Sequence, residues 1–292
     1  MNPNVILRLV QASKQYKGKM VLNRISLEMN RGETLAVTGP NGSGKSTLLK
    51  LMAGLSALSS GKREVSGAGE GGGLVIGYAP DHLPKLKFTA REYLNHMASI
   101  RGLDAATRTR RIEELLQLVD LRDRPGQQMK FFSKGMLQKV NLVQALLGEP
   151  ELLLLDEPIG GLDEEAQGVL AATLMSLRQK GTAIVVAGHE QALIGQWADR
   201  IMAISEGRIQ SVTTPSDSTE GKRWRRIACQ WPEGRVEDAK VFASWPGMMR
   251  CRAERRQAVY WTDPDSSDGL LRELLEAGAS IDTVTMGSGR MV

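Results

Sequence analysis

The chain has 292 residues, enough for one large or two modest domains, and a formal net charge of +5 from 38 basic and 33 acidic side chains. Hydrophobic residues make up 41% and charged residues 24%, which favours a folded core over a disordered chain. Two cysteines exclude a disulfide scaffold and suit a reducing cytoplasm. We find no secretory signal in the first ten residues and no run near the roughly 20 apolar residues of a bilayer span. Any membrane crossing is therefore expected from another chain.

The charge is unevenly distributed. Residues 85–139 carry 12 basic and 6 acidic side chains, whereas residues 140–215 carry 4 and 10. An excess of basic charge predicts an anionic partner, and nucleotide, nucleic acid and lipid headgroups all remain open.

A glycine-rich loop follows the first short apolar run. Residues 35–38 predict a strand and residues 48–53 a helix, and the loop between them has the spacing of a phosphate-binding loop. Such a loop turns backbone N–H groups toward phosphates at a helix N-terminus. We expect Lys45 to reach the β- and γ-phosphates and Ser46 to ligate Mg²⁺; the alternative is a chance glycine turn. The candidate residues are Gly39, Pro40, Asn41, Gly42, Ser43, Gly44, Lys45, Ser46 and Thr47.

Two helices are predicted after a glycine-rich stretch at residues 67–73, which we expect to be a flexible loop without chemistry. Thr89 and Glu92 form a capping box for a helix ending near Ile100. A second helix spans roughly residues 104–119 and is apolar on one face. Its basic residues could meet anionic headgroups, or only solvent.

Four consecutive leucines then lead into two carboxylates. Residues 151–155 predict a strand buried on both faces of a parallel sheet, whose carboxyl end is where α/β folds bind ligands. Asp156 suits a Mg²⁺ shell and Glu157 suits activation of a water, although an ordinary turn would look similar. A second buried strand, residues 182–187, precedes His189, which could contact a γ-phosphate or carry no chemistry.

Residues 211–221 are rich in Ser, Thr and Pro and predict a linker between an N-terminal domain, residues 1–210, and a C-terminal domain, residues 222–292. The C-terminal domain has the order β-α-β-β-α-β of a small ferredoxin-like α+β unit. We favour a dimer contact or regulation over nucleic-acid binding for it, because its acids balance its bases. Cys229 and Cys251 are expected to be buried thiols, not metal ligands. Its predicted elements are residues 223–231, 236–245, 248–254, 258–261, 267–277 and 281–286.

Together these motifs resemble the ATP-binding subunits of ABC transporters, over about residues 4–210. Ser133-Lys-Gly-Met136 occupies the place of the family's signature motif, and Gly161-Leu-Asp163 that of its D-loop. The resemblance implies an α/β P-loop fold: a RecA-like parallel sheet, an N-terminal antiparallel β-subdomain and a helical subdomain at about residues 85–139.

The resemblance also implies roles. Tyr16 resembles the aromatic residue that stacks on adenine, Asp163 the D-loop aspartate and His189 the switch histidine. Ser133, which could also be a simple N-cap, would with Gly135 contact the γ-phosphate of ATP on a second subunit. ATP and Mg²⁺ are the expected ligands, and Glu157 and His189 the expected catalytic residues.

Some positions depart from the family's usual residues. Asp81 stands where glutamine is usual and could reach Mg²⁺ through water. Lys134 and Met136 in the signature resemble an exporter-type variant, and Gly160 and Glu164 flank the D-loop where serine and proline are frequent. We expect an active ATPase that is peripheral on the cytoplasmic face of the membrane. Its expected partners are separate permease subunits and a second ATP-binding subunit, with anionic inner-leaflet lipids a further candidate. The alternative is a soluble ABC-superfamily ATPase acting on nucleic acid or the ribosome.

Overall fold

The computed structural model describes residues 4–67, 73–121, 126–188, 197–214, 223–232, 236–254 and 256–288. The chain divides into two compact units, residues 1–215 and residues 216–292. In the described part of the chain, no helix combines the length and apolarity that crossing a bilayer requires.

The first unit contains nine strands and five α-helices among its described residues. In chain order these are β1 (Val5–Tyr16), β2 (Lys19–Asn30), β3 (Thr34–Thr38), α1 (Lys45–Met52), β4 (Ser60–Val65), β5 (Ile76–Ala79), α2 (Ala90–Ile100), α3 (Ala105–Leu118), α4 (Lys134–Leu146), β6 (Leu152–Asp156), α5 (Glu164–Gln179), β7 (Ala183–Gly188), β8 (Arg200–Ser205) and β9 (Arg208–Thr213).

Six of these strands form the central sheet, in the order β5-β6-β7-β3-β8-β9. All neighbours are parallel except β8 and β9. The leucines of β6 are fully buried and alternate between two cores, as the period-2 geometry of a strand requires. Leu153 and Leu155 pack with the helical side, whereas Leu152 and Leu154 pack with α1 and the antiparallel sheet. The predicted doubly covered strand is therefore confirmed.

The antiparallel sheet has the order β2-β1-β4, and β1 pairs with both neighbours. The helical region begins with the predicted capping box: Thr89 accepts from the Glu92 amide at 3.2 Å, and the Glu92 carboxylate accepts from the Thr89 amide at 2.7 Å. Asp104 caps α3, and Ser133 caps α4 by accepting from the Met136 amide at 3.2 Å.

One predicted boundary is corrected by β9. Ser211, Val212 and Thr213 pair with β8, because β-branched residues suit a strand, so the linker predicted from residue 211 begins too early. Residues 215–221 of that prediction lie outside the described residues, as do residues 68–72 of the predicted glycine loop.

The second unit contains β10 (Arg223–Gln230), a 3₁₀ segment (Val236–Ser244), β11 (Met248–Glu254), β12 (Gln257–Thr262), α6 (Pro264–Glu276) and β13 (Ser280–Ser288). The strand order is β11-β12-β10-β13 with every neighbouring pair antiparallel, which is the ferredoxin-like arrangement.

Two details of this unit differ from the sequence-based prediction. The first crossover is a 3₁₀ segment and not an α-helix. Helix α6 begins three residues before the predicted start, because Asp263 caps it and Pro264 occupies its first position, where the missing N–H has no cost. Cys229 is buried and Cys251 half-buried, both as free thiols.

Candidate nucleotide-binding site

The glycine-rich loop connects β3 to α1 at the carboxyl end of the parallel sheet. A Cβ at Gly39 would overlap the backbone carbonyl oxygen of Ile204 and lie 2.9 Å from Ser43 Oγ, so the loop admits only glycine there. Gly44 caps α1 with a φ of 109° and offers no side chain. The capping residue therefore supplies no side-chain acceptor to the first-turn N–H groups of α1, which is the arrangement that binds phosphate.

The side chain of Lys45 curls back over this loop. Its Nζ donates to the carbonyl oxygens of Gly39 at 2.7 Å and Pro40 at 3.2 Å, and the residue is only 6% exposed. A buried ammonium ion that donates to neutral carbonyls at the mouth of a loop is well placed to exchange one of them for a phosphate oxygen.

Asp156 ends β6 beside this loop and is 2% exposed. Its Oδ1 has no hydrogen-bond partner among the described residues. The pKa of the Asp156 carboxyl is raised, chiefly by burial. The negative charges of Asp81 and Glu157 raise it further, whereas a hydrogen bond from Ser46 and the positive charge of Lys45 lower it. The structure therefore brings these predicted residues into one electrostatic cluster.

The cluster fits a divalent cation. The carboxylate oxygen of Asp156 that has no partner among the described residues, together with the adjacent Ser46 hydroxyl, supplies the hard oxygen ligands that Mg²⁺ prefers. A cation there would also offset the repulsion among the carboxylates, which contributes to the raised pKa of Asp156.

Glu157 follows with a left-handed φ of 50°, which is costly for a residue with a side chain. Its amide donates to the Ala187 carbonyl at 2.9 Å, and its own carbonyl accepts from Gln138 Nε2 at 3.2 Å. Backbone strain held by neighbours on both sides is typical of functional positions.

The predicted signature and D-loop segments lie against each other within the chain. Ser133 and Gly135 are at the start of α4, and a Cβ on Gly135 would overlap the Gly161 carbonyl oxygen. Asp163 caps α5 by accepting from the Ala166 amide at 2.9 Å. A structural capping role is thus visible for both Ser133 and Asp163.

Tyr16 ends β1 and is 44% exposed. Its hydroxyl shares a hydrogen bond with Ser56 Oγ at 3.2 Å, and Lys14 Nζ lies 4.7 Å from the ring centroid. The exposed ring leaves surface for a stacking partner. His189, the remaining candidate, lies outside the described residues.

Three residues around the site were not predicted. Tyr78 carries a buried hydroxyl without a partner in the described part of the chain, and burial together with the Asp156 and Asp81 charges raises its pKa to about 12. Gln138 holds Glu157, and the fully buried Asn141 donates to the Pro80 carbonyl, next to Asp81. Gln138 could have been found from the sequence, because it lies four residues after Lys134 and residues four apart share a helix face.

A family model described as ABC transporter matches residues 22–160. The linearmycin resistance ATP-binding protein LnrL of Bacillus subtilis (strain 168) is 30% identical over 220 residues, which cover 73% of this chain and 70% of that protein. The chain belongs to the ABC transporter family of ATP-binding proteins.

Other comparisons agree with this family. The Fe(3+) ions import ATP-binding protein FbpC of Streptomyces coelicolor (strain ATCC BAA-471 / A3(2) / M145) is 33% identical over 238 residues, 77% of this chain and 65% of that protein. A solved ATP-binding subunit of an ABC transporter superposes with a TM-score of 0.65 at 32% identity, covering 72% of this chain and 90% of that one. The predicted ABC ATPase fold is therefore confirmed. This ABC chain spans 55%, 58% and 65% of the length of three curated relatives.

Proposed function

We propose that this ABC chain hydrolyses ATP at a site completed by a second ATP-binding subunit, and so drives export through separate membrane-spanning subunits. The observation that carries the proposal is the cluster of Lys45, Ser46 and Asp156 at the mouth of the glycine loop, with a buried ammonium ion and a buried carboxylate oxygen that a nucleotide and its cation would satisfy.

Each group has a role that its position supports. The ring of Tyr16 stacks on adenine, while the loop N–H groups and Lys45 hold the phosphates. Ser46 and Asp156 would hold Mg²⁺, which would neutralise part of the phosphate charge, and Asp81, whose charge acts on Asp156, would contribute through water.

Hydrolysis needs a water that is activated and held in line. Glu157 accepts the proton of that water, and His189 keeps water and γ-phosphate aligned. Ser133 and Gly135 of one subunit offer the free N–H groups of a helix start to the γ-phosphate bound by the other, with Asp163 beside the contact. ATP binding therefore favours the dimer, and hydrolysis releases it.

The residues of this chain that differ from those usual in the family favour export over import. The signature variant with Lys134 and Met136 resembles exporter-type ATPases, and the relatives include a linearmycin resistance protein and a Nod factor export protein. Relatives that import Fe(3+) or sulfate are about equally similar, so similarity alone does not select a direction. Isolation of the native membrane complex decides it: a permease without a solute-binding protein supports export, and a bound solute-binding protein contradicts it.

The chain is proposed to act as a peripheral subunit on the cytoplasmic face of a membrane. Residues 85–139 carry 12 basic side chains, of which Arg91 lies on α2 and Arg108, Arg110 and Arg111 lie on α3, where they could meet a permease or anionic headgroups. Close approach of each Lys or Arg to an anionic leaflet contributes about 1 kcal/mol.

Replacement of Glu157 by Gln tests the catalytic assignment. Turnover is expected to fall about 10²–10⁴-fold, the usual contribution of a general base, while ATP binding and ATP-dependent dimerisation remain. Glu165→Gln, an exposed change in the first turn of α5, is the matched control and should leave turnover unaltered. Steady-state phosphate release and light scattering measure the two properties. Unchanged hydrolysis in Glu157→Gln would refute the assignment.

A further inference from the structure

The first turn of α4 lies directly over the loop between β6 and α5. A Cβ at Gly161 would lie 3.0 to 3.2 Å from the Cβ, Cγ and Cδ atoms of Lys134, and one at Gly160 would lie 3.1 Å from Lys134 Nζ. The stem of Lys134 therefore occupies the space that a side chain at these two loop positions would need. Gly161 also has a φ of 85°, which disfavours any other residue.

The same helix face holds the other end of this loop. Gln138, one turn after Lys134, donates from Nε2 to the Glu157 carbonyl at 3.2 Å. Residues four apart on a helix lie on one face, so Lys134 and Gln138 act on one stretch of backbone. That stretch runs from Glu157 to Gly161 and carries the left-handed φ at Glu157.

Two separate departures from the family's common residues thus meet in space. Lysine at position 134 and glycine at position 160 each depart from the usual residue, and Lys134 Nζ lies only 3.1 Å from the point that a Cβ at position 160 would occupy. A lysine in the first turn of a helix also places a cation at the positive end of the helix dipole, which is unfavourable. The packing of its stem against the loop is a compensating contact.

We propose that Lys134 is a positioning residue for ATP hydrolysis, which lies over Gly160 and Gly161 and, with Gln138, fixes the loop that carries Glu157. This inference rests on the proposed function and deepens it: the matched pair of a long side chain at position 134 and glycines at positions 160 and 161 sets the position of the residue that activates water.

A double-mutant cycle tests the contact. Gly161→Ala is made in the wild-type chain and in Lys134→Gly, so that the cost of the left-handed φ is common to both and cancels. We expect Gly161→Ala to lower turnover about tenfold more in the wild-type chain than in the Lys134→Gly chain, because the glycine at position 134 leaves no stem for the new methyl group to overpack. Gly181→Ala is the matched control: its φ is 91°, but a Cβ there meets nothing within 4 Å, so it should show no coupling to Lys134.

Two further measurements separate positioning from simple packing. Lys134→Gly should lower kcat while the affinity of the monomer for ATP stays within about twofold, because residues 39–47, which bind the phosphates within the same chain, are untouched. Lys134→Met keeps the apolar stem and should restore most of the lost turnover, whereas an effect that depends on the charge would leave it low.

The thermal unfolding midpoint of all four members of the cycle is measured without nucleotide. Non-additive midpoints support the contact even in a chain with no ATPase activity, in which case the proposed function fails and the contact stands. Equal effects of Gly161→Ala in both backgrounds, in midpoint and in kcat, would overturn the inference. An unchanged kcat in Lys134→Gly would overturn the positioning role.

Discussion

Two glycines of the phosphate loop should differ strongly in how much ATPase activity is lost when each is replaced by alanine. Gly39 and Gly42 both have positive φ angles, 149° and 80°. A Cβ at Gly42 meets nothing within 4 Å, whereas one at Gly39 would overlap the Ile204 carbonyl oxygen and lie 2.9 Å from Ser43 Oγ. Gly39→Ala therefore adds a collision that Gly42→Ala does not.

The expected magnitudes follow from that geometry. Carbon and oxygen atoms normally approach no closer than about 3.3 Å, so in the Gly39→Ala variant the loop must move by several tenths of an ångström to clear Ser43, and further to clear Ile204. Displacement of a positioning group by about 1 Å can cost about 10²-fold in rate. Gly42→Ala costs only the left-handed backbone, about 1 kcal/mol of stability.

Titration with a fluorescent ATP analogue and steady-state phosphate release are the assays, with thermal unfolding to confirm that both variants are folded. We expect Gly39→Ala to lose roughly 10²-fold in turnover and Gly42→Ala to stay within about fivefold of the wild type. Equal losses in two folded variants would refute the argument from close contact at Gly39.

Three other predictions concern the surroundings of the site. Tyr16→Ala should weaken ATP binding by about 1–3 kcal/mol in a binding titration, whereas Tyr16→Phe should not; equal weakening would exclude stacking. Asp156→Asn should raise the unfolding midpoint without nucleotide or Mg²⁺, because burial raises the pKa of that carboxyl and its charged form opposes folding. The difference in midpoint between Asp156→Asn and the wild type should be largest above the raised pKa and shrink as the pH falls toward about 4. A midpoint of Asp156→Asn below that of the wild type at neutral pH would contradict the prediction. Asn141→Leu should lower the free energy of unfolding, measured with urea, by about 1–3 kcal/mol. In this variant the Pro80 carbonyl loses its donor, and Gln144, which donates to Asn141 at 2.8 Å, loses its acceptor. A negligible effect would argue against this buried network.

The elements around the site could be predicted because local sequence rules determine them. The capping box of Thr89 and Glu92 fixes the start of α2, and the run of leucines before Asp156 can be accommodated only where both faces of a strand are covered. The ferredoxin-like order followed from alternation within each strand. These rules depend on neighbours in the sequence.

The parts that were not predicted depend on contacts between distant segments. Gln138 meets Glu157 and Asn141 meets Pro80 only because α4 packs against β5 and β6. Ser211 to Thr213 resemble a linker by composition, yet pairing with β8 makes them a strand. Lys134 departs from the residue usual at its position, and only the packing of α4 on the loop after β6 brings its stem to Gly161.

The composite site is the central claim, and mixing two inactive variants tests it most directly. Lys45→Ala removes the phosphate lysine, and Ser133→Arg blocks the helix start that faces the partner's nucleotide; each should be inactive alone. Random pairing of an equal mixture makes about half of the dimers mixed, each with one intact site, so we predict recovery of about a quarter of wild-type ATPase activity. Full activity of Ser133→Arg alone, or no recovery when crosslinking shows mixed dimers, would contradict the account.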